Sequence, residues 1–141
     1  MAITSRLTRR VAFHARHRMT LPQWSAADAE ARFGWTARSP GHGHLYRVAV
    51  TVGGTPDPET GALLDLVALD ALLQQQVIDP MEGQDLNAAV AEFARGDALP
   101  TCEALAAVIW RRLAPRLADG LRLERVVVAE DDTLEGECLG A

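Results

Sequence analysis

Gly41-His-Gly-His-Leu-Tyr-Arg-Val-Ala-Val-Thr-Val52 is the stretch on which the reading of this chain turns. From His42 it reads as a long strand, because Leu45, Val48, Val50 and Val52 supply apolar and β-branched side chains up to the Gly53-Gly54 break. Alternate side chains of a strand share a face, so His42 and His44 point the same way, about 7 Å apart, and both imidazoles can reach one ion. A third imidazole would complete a three-histidine set with one open coordination position, the arrangement of zinc that works on a bound water or substrate. It is sought in Val11-Ala-Phe-His-Ala-Arg-His17, since all four histidines fall between positions 14 and 44. On a regular strand His14 and His17 face opposite sides, so only one of them can join the pair. Imidazole suits zinc, iron, nickel and copper alike, and zinc is favoured as the usual tenant.

Working outward, residues 7–15 read as a strand that precedes the long one, with an insertion over residues 18–41 between them. The insertion carries a helix candidate, residues 26–33, and the loop Arg38-Ser-Pro-Gly41. A stretch of that length between strands is usually functional or interfacial. After the turn-forming Thr55-Pro-Asp-Pro-Glu-Thr-Gly61, the spacing of Leu66, Leu69, Leu72, Leu73 and Val77 predicts a helix up to Pro80. A second helix is expected from Pro100-Thr101, with the Thr side chain as cap and Leu105, Val108, Ile109, Leu113 and Leu117 along one face. Residues 121–129 and 134–139 read as two further strands. The order strand, strand, helix, helix, strand, strand predicts an α+β fold, an antiparallel sheet with helices layered on one face. Such a sheet has open edges that an oligomer can pair.

At 141 residues the chain fits one domain, 1–141, which buries about two thirds of its unfolded surface without staples. A net charge of -5 argues against nucleic acid as a partner, and the basic stretch Arg6 to Arg18 alternates with apolar residues as a strand does. All fourteen basic residues are Arg, so a lysine Schiff base or lysine general base is excluded. Cys102 and Cys138 form no CxxC and no disulfide framework, from which a reducing, cytoplasmic setting is expected. Neither a signal peptide nor an apolar run of membrane-spanning length is read.

Val11-Ala-Phe-His-Ala-Arg-His-Arg18, Phe33-Gly34 ahead of Gly41-His-Gly-His-Leu-Tyr46, Asp57-Pro-Glu-Thr-Gly61, Leu64-Asp-Leu66, Leu86-Asn87, Pro100-Thr-Cys-Glu103 and Val126-Val-Val-Ala-Glu130 follow one another in a specific order and spacing. In these motifs the chain resembles the 6-pyruvoyl- and 6-carboxytetrahydropterin synthase family, small zinc lyases built on the tunnelling fold. The resemblance implies a four-stranded antiparallel sheet (ββααββ) with two helices on one face, assembling into an oligomeric barrel. It further implies a homohexamer of two stacked trimers with sites between subunits and a small-molecule substrate. Matched motif by motif, it makes His17, His42 and His44 the zinc ligands and leaves His14 without a family role. Glu130 matches the carboxylate that holds the pterin ring, where it can accept two donors from an amino-pyrimidinone edge. Its alternative is an acidic residue closing a strand. Thr101 and Glu103 match a second substrate-anchoring motif, and both also suit the first turn of a helix as capping and dipole residues.

The chain departs from the family in its proton relay. Pyruvoyl-type members use a cysteine before the Gly-His-Gly-His motif and an Asp-His pair after the first helix. Those positions fall here on Thr36 and on Glu82-Gly83. A Thr hydroxyl does not ionise usefully near neutral pH, and Gly83 supplies no imidazole. Glu82 and Thr36 therefore stand as the catalytic candidates, Glu82 if burial raises its pKa, with Asp79 and Asp85 as competing carboxylates. The expected function is a zinc-dependent lyase or cyclase acting on a pterin-like or other small heterocyclic or oxygenated substrate by metal-assisted enolisation, elimination or ring closure. The alternatives are an orthodox synthase acting on 7,8-dihydroneopterin triphosphate and a non-catalytic metal- or pterin-binding subunit.

Overall fold

The computed structural model describes residues 2–141. Two 13-residue strands, β1 (Ser5–His17) and β2 (His42–Gly54), pair antiparallel along their whole length, with His17 opposite His42. A two-residue strand, β3 (Gln84–Asp85), runs parallel to Ala15 and Arg16. On the other side β4 (Arg122–Ala129) pairs antiparallel with β2, and β5 (Glu135–Cys138) pairs antiparallel with β4. The order is β3-β1-β2-β4-β5, five strands where four were expected. Two residues carry no readable alternation, so β3 left no trace in the pattern.

Alternation sorts the sheet into two faces. Phe13, Ala15 and His17 of β1, with Tyr46, Val48, Val50 and Val52 of β2, are buried beneath the helices. Arg6, Arg10, His14 and Arg16 lie on the opposite, open face. Arg9 is on the helical side, where its guanidinium makes two 2.8 Å bonds to Asp70.

The insertion holds α1 (Ala26–Phe33), whose first turn is capped by Ser25, its Oγ accepting from Asp28 N at 3.1 Å. α2 (Leu66–Leu73) passes through a π-helical turn, Gln74–Ile78, into α3 (Asp79–Met81). The helical run therefore crosses Pro80 instead of stopping there. Proline removes the N–H that the Gln76 carbonyl would accept in a regular helix, and Arg112 Nη1 donates to that carbonyl at 3.2 Å in its place. Leu69, Leu73, Val77 and Met81, four residues apart, form its buried stripe. Two single turns, α4 (Leu86–Ala89) and α5 (Ala91–Ala94), lead to α6 (Cys102–Leu113).

Leu105, Val108, Ile109 and Leu113 of α6 join Val48, Val50, Val126 and Val128 in the core, with α6 lying against β4 and β5. Ile109 is fully buried. Ile109→Ala should cost about 2–5 kcal/mol through lost transfer energy and the cavity left behind, read as a lower denaturant midpoint at unchanged slope. No helix among the described residues is long and apolar enough to cross a membrane.

Candidate metal centre

The strand geometry delivers three imidazoles to one point. His17 ends β1, His42 begins β2, and the antiparallel register sets them opposite each other, with His44 one step along on the same face. One ligating nitrogen from each of His17, His42 and His44 lies within 4.8 Å of the others. His17 Nε2 and His44 Nε2 are 3.2 Å apart. Two nitrogens bound at about 2.1 Å to one tetrahedral ion lie roughly 3.4 Å apart, which matches that separation. His14 takes no part, because its side chain leaves the sheet on the open face.

His17 is held in the ligating form. It is 2% exposed, and its Nδ1–H donates to the carbonyl of Pro100 at 2.8 Å, which leaves Nε2 as a lone pair directed at the other two rings. Burial drives its pKa down to about 4, with the positive charge of its histidine neighbours adding to the effect. Burial lowers the pKa of His42 as well, followed by the influence of His44. His42 Nδ1 is buried with no hydrogen-bond partner. A buried orphan nitrogen and three converging imidazoles, with burial disfavouring the protonated form of His17 and His42, fit a divalent cation that prefers imidazole.

The backbone around His17 is pinned from two sides. The Asn87 side chain accepts from Arg18 N at 3.0 Å and donates to Arg18 O at 2.9 Å, clamping the residue that follows the ligand. Gly41 has φ +96, and a Cβ there would lie 2.7 Å from the His17 carbonyl oxygen, so only glycine lets the two strand ends approach.

Glu130, just past β4, reaches the same point. Its Oε2 lies 3.7 Å from His17 Nε2 and 3.8 Å from His44 Nε2, with its side chain 15% exposed. Two further groups stand beside it. Tyr46, stacked on Phe13 and edge-on to His17 and His44, has a buried hydroxyl with no partner, and burial raises its pKa, with Glu130 and Cys102 adding to the shift. The Cys102 thiol is pushed up to about 12, first by burial and then by the Glu130 charge. A thiol so protonated and covered is a poor nucleophile. Native protein should therefore react with an aromatic disulfide reagent at no more than one thiol per chain, and at two after unfolding.

The remaining sequence candidates are dispersed. Thr36 donates its hydroxyl to Phe33 O at 2.7 Å, so its proton is already engaged within its own turn. Thr101 caps α6, accepting from Ala104 N at 3.2 Å, and Glu103 in the first turn is exposed. Glu82 is not buried: its side chain is 49% exposed at the edge of β1. The burial expected to tune it is missing, because the turn after α3 leaves it at the surface. Sequence reasoning missed Tyr46, which alternation from His44 could have found, and Trp35, whose ring centroid lies 4.8 Å from that of His42. It also missed the Pro100 carbonyl, which has no side-chain signature.

A helix-covered, mainly antiparallel sheet that gathers three histidines at one end is the tunnelling fold. The family model of 6-pyruvoyl tetrahydropterin synthase matches residues 6–139, and the chain belongs to that family. It is 34% identical over 128 residues to human 6-pyruvoyl tetrahydrobiopterin synthase, covering 91% of this chain and 86% of the relative. The Drosophila melanogaster protein of the same name is 34% identical over 124 residues, covering 88% and 73%. The solved Caenorhabditis elegans 6-pyruvoyl tetrahydropterin synthase superposes with a TM-score of 0.90 at 26% identity, over 99% of this chain and 98% of that one. The Plasmodium vivax 6-pyruvoyltetrahydropterin synthase shares the fold at a TM-score of 0.66 and 14% identity, over 96% and 97%.

Proposed function

We propose that the chain is a zinc-dependent tetrahydropterin synthase, a lyase acting on 7,8-dihydroneopterin triphosphate with substituted acid-base residues. The observation that carries this reading is the convergence of His17, His42 and His44 with the Glu130 carboxylate under 4 Å from two of the imidazoles. The relatives named as synthases at 34% identity support it. His17, His42 and His44 would hold the metal, which when bound polarises a substrate oxygen and acidifies the neighbouring C–H. Glu130 accepts two donors from the amino-pyrimidinone edge and so orients the ring. Trp35 gives the site an apolar wall beside His42. Thr101 and Glu103 act on the substrate side through the start of α6, where Pro100 steadies His17.

A second reading, the same scaffold working on another small heterocyclic or oxygenated substrate, is favoured by the engaged hydroxyl of Thr36 and the missing imidazole at Gly83. Product analysis with dihydroneopterin triphosphate and the zinc-loaded protein separates the two. Metal-dependent conversion is the expected result. Stoichiometric metal with no conversion would favour the second reading, or a subunit that only binds.

Assembly into a homohexamer of two stacked trimers belongs to the same proposal. Most of β1 has no strand on its outer side, and the β5 edge is flanked by exposed Leu134 and Leu139. Paired edges would remove both liabilities. Light scattering at micromolar concentration should return about six chains, and a monomer would refute it. The free thiols of Cys102 and Cys138 suit a cytoplasmic setting.

A further inference from the structure

Trp35 leaves most of an indole in solvent, 62% exposed, while its ring centroid lies 4.8 Å from that of His42 with the planes 60° apart. Single exposed apolar side chains are ordinary on a protein surface. This one is set apart by what holds it and by what it faces.

The turn that carries the indole is tied down on both sides of it. Gly34, at φ +63, ends α1 with its N–H on Glu30 O. Thr36 donates its hydroxyl to Phe33 O at 2.7 Å, and Thr36 O accepts from Met19 N at 2.8 Å. Ala37 is buried, and Arg38 N donates to Trp35 O at 3.0 Å. Met19 stands two residues beyond His17, so the segment that follows this metal ligand also anchors the turn. The backbone of Trp35 is fixed while its ring stays uncovered, an arrangement that spends little ordering entropy when a ligand covers it.

Glu130 and Trp35 divide the imidazoles between them. Glu130 Oε2 stands 3.7 and 3.8 Å from His17 and His44, whereas the indole packs on His42. The ligating nitrogens all lie within 4.8 Å of one another, so a two-ring heterocycle with its edge on Glu130 spans the centre and brings its face to the indole. A planar heteroaromatic suits that border: stacking adds aromatic contact and takes from water the ring area that the free protein exposes. A short oxygenated aliphatic would leave the indole uncovered.

We infer that Trp35 is a specificity residue that touches the substrate, the stacking surface for a flat nitrogen heterocycle whose edge Glu130 holds. The inference rests on the proposed synthase reading and deepens it, because it selects planar bicyclic rings over small aliphatic substrates.

The test is binding of neopterin, the fully aromatic analogue, to the zinc-loaded full chain, measured by calorimetry. Trp35→Ala should weaken binding about 5- to 150-fold at unchanged metal content and assembly, the range found when a base loses its aromatic partner. Trp35→Phe, which keeps a flat ring, should recover most of the affinity, and Trp35→Leu, which keeps apolar area without one, should not. Proton NMR adds a readout that a structural role would not move: the C7 proton of bound neopterin shifts upfield in the unmodified chain and loses that shift in Trp35→Leu. With dihydroneopterin triphosphate, Trp35→Ala should raise KM and leave kcat nearly unchanged. Unaltered affinity in Trp35→Ala would overturn the inference. Recovery by Trp35→Leu as full as by Trp35→Phe would overturn it too, reducing the indole to an apolar cover for His42. Turnover decides the synthase reading separately. A chain that binds neopterin through Trp35 but does not convert the triphosphate keeps the stacking surface and loses that reading, and a chain that converts it with Trp35→Ala unimpaired does the reverse. A chain that binds no neopterin refutes the stacking surface.

Discussion

His17→Ala should leave the chain without stoichiometric metal after dialysis and reduce turnover to background, whereas His14→Ala should retain about one metal per chain. His17 is the most constrained of the three imidazoles: 2% exposed, its Nδ1–H committed to Pro100 O, its Nε2 3.2 Å from that of His44. Two remaining imidazoles bind far more weakly than three, because each lost ligand must be replaced by water in a site shaped for nitrogen. Elemental analysis of both variants decides it, and metal kept by His17→Ala but lost by His14→Ala would reverse the assignment. The unmodified chain should also be stabilised by the ion, by about 2.7 kcal/mol when free metal is a hundredfold above its Kd.

The same burial sets a pH dependence in the metal-free chain. An unfolded His17 takes up a proton below its ordinary value of 6.5, while the folded one resists until about 4. In that window the unfolded state binds more protons, so stability falls as pH falls, by about 3 kcal/mol between the two values from this residue. Chemical denaturation of metal-free protein at pH 7 and at pH 4.5 measures it, and His17→Asn should flatten the difference.

Glu130→Gln carries the second large effect. The substitution keeps the shape of the side chain but removes its charge and turns one acceptor into a donor facing the substrate. Charge-assisted hydrogen bonds contribute about 1.5–3 kcal/mol, so substrate affinity should fall about 10- to 150-fold, seen as a raised KM. Glu130 Oε2 lies 3.7 and 3.8 Å from two ligand nitrogens, close enough that its role must be separated from metal binding. Metal content should be unchanged in Glu130→Gln. Loss of metal would make Glu130 a fourth ligand, and an unaltered KM would reduce it to the acidic end of a strand.

Much of this molecule is written in periodicity. The alternation in β2, the four-residue spacing of Leu69, Leu73 and Val77, and the stripe of α6 all appear as regular elements because burial on one face leaves a repeating mark. The pairing of His42 and His44 on one face follows from the same rule, and Ser25, Asp65 and Thr101 cap helices as their residue types lead one to expect. Motif order named the family. What periodicity could not reach are contacts without a local signature. β3 is two residues long, the helix crosses Pro80 because Arg112 serves the carbonyl it frees, and Pro100 orients His17 through a backbone oxygen. The sequence by itself determined four of the five strands, their two faces and the pairing of His42 with His44, since those depend on side-chain alternation along one strand. Alternation left His14 and His17 open, and the register of β1 against β2 brings His17 to the pair. Only the tertiary structure decided that Glu82 is exposed and not buried, and that its neighbour is His14. That juxtaposition spans 68 residues and depends on where the turn after α3 meets the edge of β1, a distance in space that no spacing in the chain encodes.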